Sequence, residues 1–122
     1  MKKKIFLIDI DNTICKTNKN FYKLSKPYKS RIEVINKLYD QGHTIKFFTS
    51  RYMGRSKDNQ SKAKSKGYRL TEKQLKEWNC KYNQLIFGKP SHDISIDDKS
   101  IFYNNNWFKE LNKLYLNKKK FK

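Results

Sequence analysis

Hydrophobic residues in this chain fall in short blocks separated by lysine-rich polar stretches, and the period within each block predicts its element. Ile5-Phe6-Leu7-Ile8 is a short apolar run and predicts a buried strand. It stops at Asp9-Ile10-Asp11, where side-chain alternation puts both carboxylates on one face at the strand's C-terminal end. Residues 15–29 are polar and without period, a loop or flap leaving that end. Ser30-Arg31-Ile32-Glu33 has the form of a capping box, with Ser30 at the N-cap. Ile32, Ile35, Leu38 and Tyr39 then recur at helical spacing, and Gly42 supplies the stop. Thr44-Ile45-Lys46-Phe47-Phe48-Thr49 predicts a second strand.

Strand, capped helix and strand make a βαβ unit, hence a parallel sheet with a right-handed crossover. Thr49-Ser50-Arg51 therefore leaves the sheet on the same edge as Asp9 and Asp11. Residues 52–69 form a basic segment with Arg55, Lys57, Lys62, Lys64, Lys66 and Arg69 against the single acid Asp58. Thr71-Glu72-Lys73-Gln74 reads as a second capping box, with Leu70 stapling onto Leu75 and a helix running through Trp78. Gln84-Leu85-Ile86-Phe87 predicts a short strand and Gly88-Lys89-Pro90 a turn. Residues 93–98 repeat the opening pattern, an alternating strand ending in Asp97-Asp98. A last helix over residues 107–117 should bury Phe108, Leu111 and Leu114 or Tyr115, and Lys118-Lys119-Lys120 is a solvated basic tail. Only five residues separate Phe87 from Asp93, too few for a parallel return. The strand at Leu85 is thus an antiparallel or edge element, or residues 88–92 descend beside the sheet.

Composition narrows the picture. With 122 residues the expectation is one α/β domain spanning residues 1–122. Lys plus Arg number 29 against 11 acids, a net charge of +18. Asp9, Asp11, Asp97 and Asp98 lie in the candidate chemistry, so the remaining surface is more basic still. That favours phosphorylated or polyanionic partners, unless the excess reflects lysine and asparagine use across a whole proteome. Cys15 and Cys80 have neither metal spacing nor a disulfide framework and read as free thiols of a reducing compartment. The apolar run after Met1-Lys2-Lys3-Lys4 is too short for a signal peptide, and no run could span a bilayer. The expected location is cytoplasmic, without membrane attachment.

Asp9 and Asp11 repel unless a cation lies between them or one keeps its proton. Open parallel sheets bind ligands at this strand end. Four features converge there by expectation: Asp9/Asp11 with Thr13, Thr49-Ser50-Arg51, Lys89-Pro90 and Asp97-Asp98. Together they resemble the four motifs of the haloacid dehalogenase (HAD) phosphohydrolase superfamily. Those are a D-x-D-x-T strand end, a strand ending in Thr or Ser, a lysine and an acidic pair. The wording D-N-T-I-C, T-S-R-Y-M-G-R and F-G-K-P-x-x-D-I-x-I-D-D-K-S is most similar to small phosphatases found with capsule and surface-polysaccharide biosynthesis genes.

The resemblance implies a Rossmann-like HAD core, a mostly parallel sheet flanked by helices. It also implies a Mg²⁺-dependent phosphomonoesterase working through an aspartyl-phosphate. Asp9 would be the nucleophile, and a carboxylate needs no deprotonation at neutral pH. Asp11 would act as general acid and base, Thr49 would donate to a phosphoryl oxygen, and Lys89 would hold another while screening Asp9. Asp9, the Asp11 carbonyl, Asp97 and Asp98 would hold Mg²⁺, a hard ion suited by oxygen ligands.

Several alternatives stay open. Ser50 can replace Thr49 by a one-residue slip, and Asp97-Asp98 can cap a following helix. Arg51 and Arg55 either grip substrate phosphate or are surface charge. Asn12 stands where glycine is common, and asparagine tolerates the positive φ. His43 and His92 read as structural. The gaps between motifs leave no room for a folded cap, so the site should be open unless an oligomer covers it. The first expected substrate is a sugar phosphate or glycan intermediate. The second is a polynucleotide 3′-phosphate, given the basic surface. A third reading is a basic nucleic-acid-binding protein with a vestigial site.

Overall fold

Apolar runs with period two pair side by side and capped periodic segments cross between them. The computed structural model describes residues 2–116. In chain order it contains β1 (Ile5–Ile8), the two-residue strands β2 (Cys15–Lys16) and β3 (Lys26–Pro27), α1 (Lys29–Asp40), β4 (Thr44–Thr49), α2 (Gln60–Glu77), β5 (Gln84–Phe87) and α3 (Trp107–Leu111). It divides into two compact units, Met1–Ser91 and His92–Lys122.

The first unit is α/β. Its main sheet has the order β1-β4-β5, with both pairings parallel. Register places Ile8 beside Phe47 and Phe47 beside Leu85, so they share a face with Ile45, Thr49 and Phe87. That face is buried, with Ile45 and Phe47 fully enclosed. α1 packs on β4 and α2 on β5. Ile32, Ile35 and Leu38 of α1 are buried at the predicted spacing, each contributing about 1.5–3 kcal/mol of burial. Gly42 (φ +92) ends α1 as expected, and His43 N–H donates to the Leu38 carbonyl at 3.1 Å. His43 is structural, with Nδ1 accepting from Lys4 N–H at 3.0 Å.

Several expectations are corrected. β1 is an edge strand, and Ile5 and Leu7 are 66% and 59% exposed. Ser30 does not cap α1: the helix begins at Lys29, and Tyr28 holds the N-cap position without a side-chain cap. The reason lies in tertiary contacts, since Tyr28 N–H donates to Ile14 O at 2.9 Å. Buried Arg31 also stacks over the Tyr28 ring and donates to Thr13 O at 3.0 Å. Thr71 does not open a helix either. α2 starts eleven positions earlier at Gln60, where the Asn59 side chain accepts from Lys62 N–H.

The buried face of α2 is small and polar, with Ala63 and Gly67 in the unexpected first half and Thr71 and Gln74 in the second, before Leu75. Gly67 is required there, because a Cβ would lie 2.4 Å from the Tyr52 ring. β5 resolves the short-connection difficulty as an edge strand parallel to β4. Residues 93–98 form no strand, and Ile94 and Ile96 are 80% and 94% exposed.

In the second unit, α3 buries Trp107 and Leu111 and continues as a π-helical turn over Asn112–Leu116. Phe108 and Tyr115 are half-buried and Leu114 is exposed, against the expectation for this helix. The expected tail at residues 118–120 lies outside the described residues. Among the described residues no helix is long and apolar enough to cross a membrane.

Gly67 yields a direct test. Glycine to alanine within a helix ordinarily gains about 1 kcal/mol. Here Gly67→Ala should lower the melting temperature by forcing the Tyr52 ring away. A raised melting temperature would contradict the close packing.

Candidate active site

Parallel strands deliver their C-terminal ends to one edge, and three of the expected residues meet there. Asp9 follows β1, Thr49 ends β4 and Lys89 follows β5. Lys89 N–H donates to Thr49 O at 3.1 Å, extending the β4–β5 pairing by one step. Its ammonium Nζ lies 3.9 Å from Asp9 Oδ1, and the Asp9 side chain is 38% exposed. Thr49 is buried, and its hydroxyl accepts from Arg51 N–H at 3.1 Å, so its own hydrogen can donate. Asn12 takes the positive φ (+61) expected of it, and its side chain accepts from Thr17 N–H at 3.1 Å.

Arg51 is neither a surface charge nor an exposed phosphate grip. Its side chain is 0% exposed. Nε donates to Asp11 Oδ2 at 3.0 Å and to Oδ1 at 3.1 Å, and Nη2 donates to Asp11 Oδ1 at 2.9 Å and Ser25 Oγ at 3.3 Å. Nη1 donates to Thr71 Oγ1 at 3.1 Å and Gln74 Oε1 at 2.6 Å. Each of the guanidinium's N–H groups therefore has an acceptor. Thr17 also donates to Asp11 Oδ1, at 2.6 Å. Asp11 is thus clamped through Oδ1, while Oδ2 accepts from Nε of Arg51.

Thr17, Ser25, Thr71 and Gln74 are site-building residues that the sequence reading missed. Thr71 and Gln74 fall within the expected capping box, and their i, i+3 spacing puts both on one helix face.

The same network fixes the expected flap. Gln74 Nε2 donates to Tyr22 O at 2.6 Å, and the Thr17 and Ser25 hydroxyls lie 2.7 Å apart. β2 and β3 pair antiparallel across the flap's base. Arg55 donates to Asn20 O at 2.8 Å and stacks over the Tyr22 and Tyr52 rings. Its guanidinium thus bridges flap and loop. Tyr52, at φ +66, is held between the Tyr22 ring and Gly67. Thr13 is half-buried, with its carbonyl accepting from Arg31, and Ser50 is half-buried, with its carbonyl accepting from Met53 N–H.

Asp97 and Asp98 belong to the second unit and are exposed. Asp97 accepts from Lys99 N–H at 3.0 Å. That bond and one from Asp98 hold its carboxyl below the usual range. Neither residue caps a helix, since α3 begins at Trp107. Among the described residues, no three His, Cys, Asp or Glu side chains gather into a cluster able to hold a metal ion. Cys15 and Cys80 are free thiols, as expected. Burial pushes both up, Cys80 to about 12, so neither is a thiolate at neutral pH.

No protein-family model and no curated protein matches the chain. A crystal structure of a structural-genomics target from Vibrio cholerae is similar, with a TM-score of 0.75 and 24% sequence identity. The match covers 92% of this chain and 98% of that one. The likeness shows the fold, a parallel α/β sheet with flanking helices.

The geometry of Arg51 makes its replacement costly. Removing one partner of a buried pair leaves an uncompensated charge or unsatisfied acceptors, at about 3–5 kcal/mol. Arg51→Lys keeps the charge but loses the planar fork. It should lower the denaturant midpoint markedly, and an unchanged midpoint would show that the network carries little stability.

Proposed function

We propose that the chain is a Mg²⁺-dependent phosphomonoesterase of the HAD type, acting through an aspartyl-phosphate on Asp9. The observation that carries the reading is the Asp9–Lys89 pair at the C-terminal edge of a parallel sheet, with Thr49 on the adjoining strand end. A partly exposed carboxylate beside an ammonium is a nucleophile with a counter-charge for an anionic substrate. The motif resemblance supplies the rest of the assignment, including Asp97 and Asp98.

In this mechanism Asp9 attacks phosphorus, the bond to the ester oxygen breaks, and Asp11 gives that oxygen its proton. Water then gives a proton to Asp11 and attacks phosphorus, releasing phosphate and restoring Asp9. Oδ2 of Asp11 is the less engaged oxygen and the one assigned to this exchange, since it accepts from Arg51 Nε whereas Oδ1 takes Thr17 and two bonds from Arg51. Arg51 acts as a positioning residue that fixes the carboxylate's orientation. Lys89 and the Thr49 hydroxyl hold phosphoryl oxygens, and the general acid–base help from Asp11 is worth about 10²–10⁴ in rate. The metal-holding groups would be Asp9, the Asp11 carbonyl, Asp97 and Asp98. This assignment follows the motif resemblance; Mg²⁺ takes oxygen ligands of this kind and would neutralise charge on the transferring phosphoryl group.

The substrate proposed first is a sugar phosphate or glycan intermediate, following the motif wording. A polynucleotide 3′-phosphate is the second reading, favoured by the basic outer face of α2. The test is phosphate release from sugar phosphates, nucleotides and 3′-phosphorylated oligonucleotides, with Mg²⁺ and with chelator. Release should require the metal and disappear in Asp9→Asn, whose fold should persist. Appreciable turnover by Asp9→Asn would remove Asp9 as nucleophile.

A further inference from the structure

The exposed side of α2 carries a feature that takes no part in the bond-breaking steps and bears on the second substrate reading alone. Lys62, Lys66, Arg69, Lys73 and Lys76 are spaced four, three, four and three residues apart, and all five are exposed. At 3.6 residues per turn they form one stripe, about 21 Å long, opposite the buried face of Ala63, Gly67, Thr71, Gln74 and Leu75. No apolar residue interrupts the stripe. Glu72 and Glu77 stand beside it, and only Lys73 has an ion pair across to one of them, at 4.0 Å.

Shallow grooves run along one flank. One is lined by Ser61, Lys64, Ser65, Tyr68 and Arg69, and the next by Arg69, Glu72, Lys73, Lys76, Cys80 and Tyr82. Each contains a half-buried tyrosine.

We propose that this stripe binds the phosphodiester backbone of single-stranded nucleic acid. A single strand is flexible enough to follow a straight row of cations, so each of the five can meet one phosphate. Tyr68 packs on Phe87 beneath the Lys64 ammonium and Tyr82 packs on Phe47, and a base would stack on the part of each ring left uncovered in the flanking grooves. An anionic membrane is the weaker partner, because an interfacial helix must insert an apolar face and that face of α2 is buried within the first unit. The stripe stands on charge placement alone and does not depend on the phosphatase reading.

The test is fluorescence anisotropy of a labelled oligothymidylate long enough to span the stripe, titrated in chelator across a salt series. Five contacts predict a slope of log K against log salt near about −3.5. Lys62→Ala/Arg69→Ala/Lys73→Ala should weaken binding at least about tenfold and flatten the slope by about 2. Lys16→Ala/Lys26→Ala/Lys37→Ala removes equal charge from exposed positions elsewhere and should bind like the parent. Glutamine at the three stripe positions should reproduce the alanine result, with circular dichroism unchanged in every variant. Equal losses in both triple variants would mean diffuse attraction and overturn the stripe. Absent binding at low salt, tighter binding to duplex, or tighter binding to anionic vesicles would overturn it as well. Because chelator suppresses turnover, the result is separate from the outcome of the phosphatase assay.

Discussion

A guanidinium cannot lose its charge in a protein, so one taken wholly out of water must find acceptors for every N–H. Arg51 meets that requirement by drawing on three segments: Asp11 beyond β1, Ser25 in the flap, and Thr71 and Gln74 on α2. Once those acceptors are committed, much else follows. The loop after β4 must turn inward at Arg51, which forces Tyr52 to a positive φ. The Tyr52 ring then needs the glycine gap at Gly67. The flap is tied down at Tyr22, through the Gln74 amide that completes the cluster. A charged residue two positions beyond a strand thus fixes the orientation of a carboxylate forty positions earlier.

Elements whose local chemistry agrees with their surroundings were legible in the sequence. Thr44–Thr49 alternates cleanly, α1 shows its apolar stripe, and Gly42 and Asn12 take the positive φ their residue types permit. The failures share a physical cause. Both capping boxes were sound as local motifs, but tertiary contacts outweighed them. Tyr28 and Arg31 anchor the start of α1, and Arg51 claims Thr71 and Gln74 in mid-helix. The first half of α2 hid because a helix that receives the Tyr52 ring at Gly67 has a small inner face there rather than an apolar one. Residues 93–98 show the reverse case, a strand pattern without a strand: Ile94 and Ile96 remain exposed.

The candidate site was legible in part. Asp9 and Thr49 share an edge because the βαβ order makes their strands parallel, whereas Lys89 joins them because β5 is also parallel to β4, a direction the sequence left open. Arg51 could not be placed from sequence, since burial depends on partners scattered over sixty residues. The charge of +18 likewise says little until its positions are known. On α2 the cations line up along one face, whereas Arg55, expected in the same basic segment, is engaged with the flap.

The central claim is that Asp11 and Arg51 act as one unit, and a double-mutant cycle in equilibrium unfolding tests it most directly. Asp11→Asn, Arg51→Met and the double variant should be measured against the parent. Residues joined by a buried charged pair should show a coupling of about 2 kcal/mol, with the double variant less destabilised than the two single changes summed. Additivity within about 0.5 kcal/mol would mean that the pair is not the constraint from which the loop, the flap and the carboxylate take their positions.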